Sequence, residues 1–150
     1  MCMVTNFIIL AMAAQFISIS TRGDAPQIGF SLVRDSLVVV PVFLNGQGPY
    51  RFLLDTGATH SVLSSAVADQ LKIPVGSSGS LITAGGSVAV TVRVIDDVQI
   101  GPVHIGKTMI AVSDAELLHT LHVDGVIGAD CLKRYRISID YAHQVLSIER

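Results

Sequence analysis

The 150-residue chain predicts a single antiparallel all-β domain with one or two short helices. Three observations predict it. After residue 26 the β-branched and aliphatic residues come in short runs, Gly, Pro, Asn and Asp separate those runs at close spacing, and helical periodicity is confined to a few short stretches. At 50% hydrophobic and 15% charged, the chain has the apolar content for one core and too few residues for two.

The elements follow in order. Gln27 to Val33 predicts a first strand, and Ser36 to Leu44 a second across the Arg34-Asp35 turn. Asn45-Gly46-Gln47-Gly48 then predicts a tight hairpin turn, because Asn-Gly accepts the positive φ that such turns require. Tyr50 to Leu54 is a short apolar strand that runs directly into Asp55. Apolar positions at 62, 63, 66, 67 and 71 predict a helix over 61–71, stopped at Ile73-Pro74. Ser77 to Ser80 reads as a polar link. Leu81-Ile82-Thr83 and Val88 to Ile95 bracket Ala84-Gly85-Gly86-Ser87 as a second hairpin with a Gly-rich tip. Asp97 to Ile105 and Lys107 to Val112 continue the alternation, and 114–119 predicts one or two helical turns capped by Ser113 or Asp114. A short helix over 130–134 and a final hairpin of Tyr135 to Tyr141 and Gln144 to Glu149 complete the domain, 26–150.

Residues 1–25 differ in kind. Phe7 to Ile19 is an apolar run interrupted only by Gln15 and Ser18, and charge first appears at Arg22. That length suits the apolar region of a signal peptide better than a membrane span of about 20 residues. Export, periplasmic or secreted, is the expectation; retained, residues 7–19 would instead tether the chain to a membrane. Removal of this segment takes Cys2 with it and leaves Cys131 alone, so the expected domain has no internal disulfide and Cys131 reads as a small buried apolar residue.

Charge and histidine placement exclude several classes. A net charge of −2, with Lys and Arg scattered along the chain, gives no electrostatic footprint for nucleic acid. His119 and His122 have no cysteine pair or carboxylate at ligand spacing, so no metal or other cofactor is expected. Ser61, Ser64 and Ser65 lie near His60, but no strand-Gly-x-Ser-x-Gly elbow accompanies them. His60 itself reads as a loop residue. Asp124, Asp140 and the Asp96-Asp97 pair read as carboxylates of turns or strand ends, and Asp130 either pairs with Arg134 or Arg136 or caps a helix.

The chemistry concentrates at Phe52-Leu53-Leu54-Asp55-Thr56-Gly57-Ala58-Thr59. An aspartate at the tip of an apolar strand can be held in a tight turn in which Gly57 supplies backbone freedom and Thr56 a hydroxyl. This segment resembles the active-site motif of the retropepsin-like aspartic peptidases, the single-domain relatives of pepsin. Val126-Ile127-Gly128, followed by Ala129-Asp130-Cys131-Leu132, is similar to the family's second element behind the catalytic loop, and Ala84-Gly85-Gly86 to the tip of its flap. The likeness extends over residues 27–149.

The resemblance implies a closed acid-protease β-barrel and an endopeptidase with Asp55 as its catalytic residue. It implies that Thr56, Gly57, Ala58 and Thr59 support the catalytic loop, that Ala84, Gly85 and Gly86 cover the substrate, and that Val126, Ile127 and Gly128 lie behind the site. Only one Asp-Thr-Gly occurs, so a paired active site requires a C2 homodimer acting on an extended peptide. A silent peptide-binding or assembly module of the same fold is the alternative.

Overall fold

The computed structural model describes residues 25–83 and 86–150. The expected leader, residues 1–25, therefore lies almost wholly outside the described residues, as do Ala84 and Gly85. Among the described residues, eleven strands and three short helices follow one another: β1 Gln27–Gly29, β2 Ser31–Val33, β3 Leu37–Leu44, β4 Gln47–Leu54, β5 Val62–Leu63, α1 Ser65–Gln70, β6 Ser78–Thr83, β7 Gly86–Ile100, β8 Val103–Val112, α2 Glu116–Leu121, β9 Gly125–Ile127, α3 Ala129–Leu132, β10 Arg136–Asp140 and β11 Val145–Glu149. The all-β expectation holds.

One sheet runs β2-β3-β4-β9-β5-β8-β7-β6, and β3 also pairs with β7, so the hydrogen bonds close a circuit through β3, β4, β9, β5, β8 and β7. Inside it lie Val40, Val42, Leu44, Phe52, Leu63, Ile95, Ile100, Ile110 and Ile127, all fully buried. Burying each side chain of this size stabilises the fold by about 1.5–3 kcal/mol. The alternation of β3, with Val38, Val40, Val42 and Leu44 directed into this core, makes the strand legible. Val39 points the other way, into a second cluster with Leu53, Leu118, Leu121, Val123 and Val126. That cluster lies under the turn that follows β4, since Ala58 and Val62 pack against it.

Several boundaries differ from the sequence expectation, each for a tertiary reason. The first strand divides at Phe30: Gln27–Gly29 pairs with β11, and Ser31–Val33 pairs with β3 in the other sheet. The helix expected over 61–71 begins only at Ser65, because Val62 and Leu63 are drawn into the sheet opposite Val126 and Gly125 on one side and Ala111 and Val112 on the other. The polar link 77–80 is largely strand. Ser78, Gly79 and Ser80 pair with Thr91, Val90 and Ala89, and their polarity reflects the exposed end position of β6 in its sheet. The segment expected to alternate over 97–105 is divided by the β7–β8 turn at Gly101-Pro102, and Gly106 lies inside β8. Asp96 and Asp97 sit at a bulge inside β7, where both of their N–H groups donate to Asn45 Oδ1 at 3.1 and 3.0 Å. The β3–β4 turn is thereby bonded to β7, with Asn45 at φ 50°. Finally, α2 has no side-chain cap: Asp114 accepts instead from Ser65 N–H at 3.1 Å, joining the start of α1 to the segment before α2.

Candidate active site

The site is assembled by three strands, β4 and the short β5 and β9. β4 lies parallel to β9, with Phe52 opposite Gly125, Leu53 opposite Val126 and Leu54 opposite Ile127. β5 lies antiparallel to the other side of β9. Between leaving β4 and returning as β5, the chain must therefore cross the end of β9, and the crossing is residues 55–61. Gly125 lets the strands approach this closely, since a Cβ there would stand 2.3 Å from Phe52 Cε1.

Hydrogen bonds stitch the crossing to the strand beneath it. Asp55 N–H donates to Ile127 C=O at 3.0 Å, Ala58 N–H to Asp55 C=O at 3.2 Å, and Ala129 N–H to Ala58 C=O at 2.7 Å. Val126 and Ile127 are buried under the loop. Gly128 touches it: a Cβ at this position would lie 2.8 Å from Ala58 O and 2.8 Å from His60 C. The Val-Ile-Gly segment is thus a platform whose last residue has room for backbone alone.

The Asp55 side chain is partly exposed at the outer end of this crossing, and its Oδ1 accepts from Gly57 N–H at 2.9 Å. The role expected of Gly57 needs revision. Its φ is not positive, and what it provides is space, because a Cβ there would crowd Asp55 Oδ1 at 3.2 Å. Thr56 is exposed, and among the described residues its hydroxyl has no partner. Thr59 Oγ1 lies 2.9 Å from His60 Nδ1, both on the surface.

The model of the family described as "gag-polyprotein putative aspartyl protease" matches residues 40–134, which span every element of this crossing. The chain belongs to that family. Solved structures agree on the fold of this gag-type aspartyl protease chain. It is similar to a retropepsin-like aspartic protease from Rickettsia conorii at TM-score 0.58 and 19% identity, over 83% of this chain and 90% of that one. It is also similar to the retroviral protease-like domain of Ddi1 from Leishmania major at TM-score 0.51 and 21% identity, over 76% and 89%. No curated relative matches in sequence.

Two residues support the gag-type loop through a pairing with each other that their sequence positions do not suggest. Ser61 is fully buried; its N–H donates to Asp130 Oδ2 at 2.8 Å and its hydroxyl to Asp130 Oδ1 at 2.6 Å, while its Oγ accepts from Gly128 N–H at 2.9 Å. Asp130 therefore pairs with neither Arg134 nor Arg136, and the cap position of α3 is held by Gly128. The signal was present as a small hydroxyl residue six positions after Asp55 and an acid two positions after Gly128, but only adjacency of the two segments gives the spacing meaning. Cys131 is free and buried beside them, its Sγ 3.2 Å from Ser61 Oγ, and burial pushes its thiol pKa up. Asp124 also anchors the platform: Arg51 N–H donates to its Oδ2 at 2.7 Å and Asp124 N–H to Arg51 C=O at 2.7 Å.

The expected flap is a hairpin of β6 and β7 in which Thr83 pairs with Gly86. Gly86 has φ 115°, a conformation that a side chain would strain. The structure brings together residues 55–59 and 126–128; of the three flap residues it describes Gly86.

Proposed function

We propose that the chain is an aspartic endopeptidase whose active site forms when two copies bring their Asp55 side chains together on a twofold axis. The observation that carries this reading is the Asp55 carboxylate itself: partly exposed, fixed by Gly57 N–H on one oxygen, and set in a loop bonded to Ile127 and Ala129. The single Asp-Thr-Gly in the sequence makes a second copy necessary for a pair.

Two carboxyl groups about 3 Å apart do not both ionise, so the pair holds one proton. The unprotonated member takes a proton from a water between them as that water attacks the peptide carbonyl, and the protonated member donates to the carbonyl oxygen. Collapse of the tetrahedral intermediate, with proton return to the leaving nitrogen, breaks the C–N bond and restores the shared proton. Thr56, exposed and without a partner among the described residues, is placed by this reading against the second copy. The extended substrate lies under the β6–β7 hairpins.

The test is a mixed peptide library incubated across pH with the wild-type chain and Asp55→Asn, alongside sedimentation of both. Cleavage by a wild-type dimer, inhibition by a peptide mimic bearing a hydroxyl at the scissile position, and silence of the variant are expected. Cleavage by Asp55→Asn at the parent rate refutes the mechanism. A dimer that binds the mimic's parent peptide and never cuts it identifies the silent binding module instead. Removal of residues 1–25 on export belongs to the same proposal, and N-terminal sequencing of the exported protein tests it.

A further inference from the structure

Cations dispersed along the sequence are gathered by the fold onto one groove. This groove, of about 780 Å³, opens between β6, β7, β8 and α3. His60, His104, Lys107, Lys133, Arg134 and Arg150 line it, and these include four of the chain's ten Lys and Arg residues. Asp130 is the one carboxylate side chain on the lining, and both of its oxygens accept hydrogen bonds, from Ser61 and from Cys131 N–H. At one end Lys107 is 3.0 Å from Asp96, which offsets its charge locally, and His104 Nδ1 is 3.0 Å from Asp97. Lys133, Arg134 and Arg150 are exposed and have no ion-pair partner among the described residues.

The rest of the lining indicates what these cations receive. Leu81, Val90, Val92 and Met109 give the groove an apolar component, and Gly79 and Ser80 belong to β6, the end strand of its sheet. A concave channel with apolar walls, an edge strand and uncompensated positive charge matches an extended acidic peptide, whose backbone can pair with an edge and whose carboxylates meet the cations. A lipid surface requires charges that project from a flat or convex face, and the net charge of −2 disfavours nucleic acid. His60 connects the groove to the crossing that carries Asp55, because it lines the one and belongs to the other.

We propose that this groove anchors an acidic peptide segment and, resting on the peptidase reading, that the segment is part of the substrate, outside the residues flanking the scissile bond. Lys133 and Arg134 supply the unpaired charge nearest α3, and the anchor acts on substrate affinity rather than on the chemical step.

The binding test uses Asp55→Asn protein, so that nothing is cut, and a fluorescein-labelled extended peptide carrying four consecutive Glu residues against its Gln counterpart. At low salt the Glu peptide should bind about tenfold tighter, and the advantage should fade as salt is raised. Adding Lys133→Glu and Arg134→Glu should bring the Glu peptide to the level of the Gln peptide without shifting the thermal melt, and Lys133→Gln with Arg134→Gln should fall between. Equal binding of the two peptides, or undiminished binding by the charge-reversed protein, overturns the proposal. So does capture by phosphatidylserine vesicles of a protein that ignores the Glu peptide, which would assign the cations to a membrane surface. In the wild-type enzyme, appending the Glu run to a cleaved peptide should lower KM about tenfold with kcat unchanged; an unchanged KM overturns the link to substrate. Binding without any hydrolysis refutes the peptidase reading and leaves the groove assigned.

Discussion

Ser61 and Asp130 form a closed pair behind the Asp55 turn: the serine gives its N–H to one carboxylate oxygen at 2.8 Å and its hydroxyl to the other at 2.6 Å. Since Ser61 Oγ also accepts from Gly128 N–H, this one side chain ties the end of the Asp55 crossing to the platform and to α3. Ser61→Ala removes two of these three contacts, leaving the buried Gly128 N–H without its acceptor and Asp130 Oδ1 with Cys131 N–H alone. We expect it to lower stability by about 2–3 kcal/mol, read as a shift of the urea midpoint. A midpoint within experimental error of wild type would show that the pair contributes nothing.

Gly128→Ala should act on the crossing itself. Its Cβ would stand 2.8 Å from backbone atoms of both Ala58 and His60, and backbone cannot swing aside as a side-chain tip can. A stability loss of about 1–3 kcal/mol is expected from such overpacking, with a fall in kcat on any cleaved peptide as residues 55–61 are displaced. Full turnover by this variant would show that the platform does not set the loop.

Cys131 should be nearly inert in the folded protein. Its thiol is buried, and desolvation raises its pKa above 9.0, which keeps it protonated at neutral pH. Alkylation at pH 8 should therefore be slow in buffer and rapid in denaturant, measured by mass. Because the folded pKa is the higher one, this thiol's contribution is fully present below the unfolded pKa and is lost as pH rises through the folded value. Fast labelling of Cys131 itself in the native chain, located by peptide mass, would contradict the buried placement.

The sign is opposite for Asp140. His143 lies with Nδ1 2.7 Å from one of its oxygens and donates its N–H to the other at 3.1 Å, and these two bonds, in that order, hold the carboxyl pKa down. Its contribution to stability is present above the unfolded carboxylate pKa and disappears as pH falls through the lower folded value. Asp140→Asn should thus melt slightly below wild type at neutral pH and coincide with it at strongly acid pH, both by calorimetry. A constant difference across that range would remove the carboxylate from the account.

Arg93 offers a test of a buried cation. Its Nη1 donates to Ile73 C=O and its Nη2 meets Asp69, each at 3.0 Å, while its buried Nε has no partner among the described residues. Since desolvation offsets much of what such a pair gains, Arg93→Met should change stability by less than about 1 kcal/mol, whereas Asp69→Ala should cost more by leaving the guanidinium buried with one bond. Chemical denaturation of both variants gives the comparison.

The sequence alone determined the all-β class, the Asn45-Gly46 turn, the apolar strand entering Asp55 and the Val126-Ile127-Gly128 segment, because turn residues and alternating burial act between near neighbours in the chain. It could not assign Val62 and Leu63 to a strand, since their helical spacing with Ala66 and Val67 is local whereas their partners Gly125, Val126, Ala111 and Val112 are remote. Nor could it pair Ser61 with Asp130, 69 residues apart, or collect Lys107, Lys133, Arg134 and Arg150 on one groove. Those relationships exist only where packing brings separate segments within reach of a hydrogen bond or a Coulomb interaction, and that distance is fixed by how β9 threads between β4 and β5 rather than by any residue's own preference.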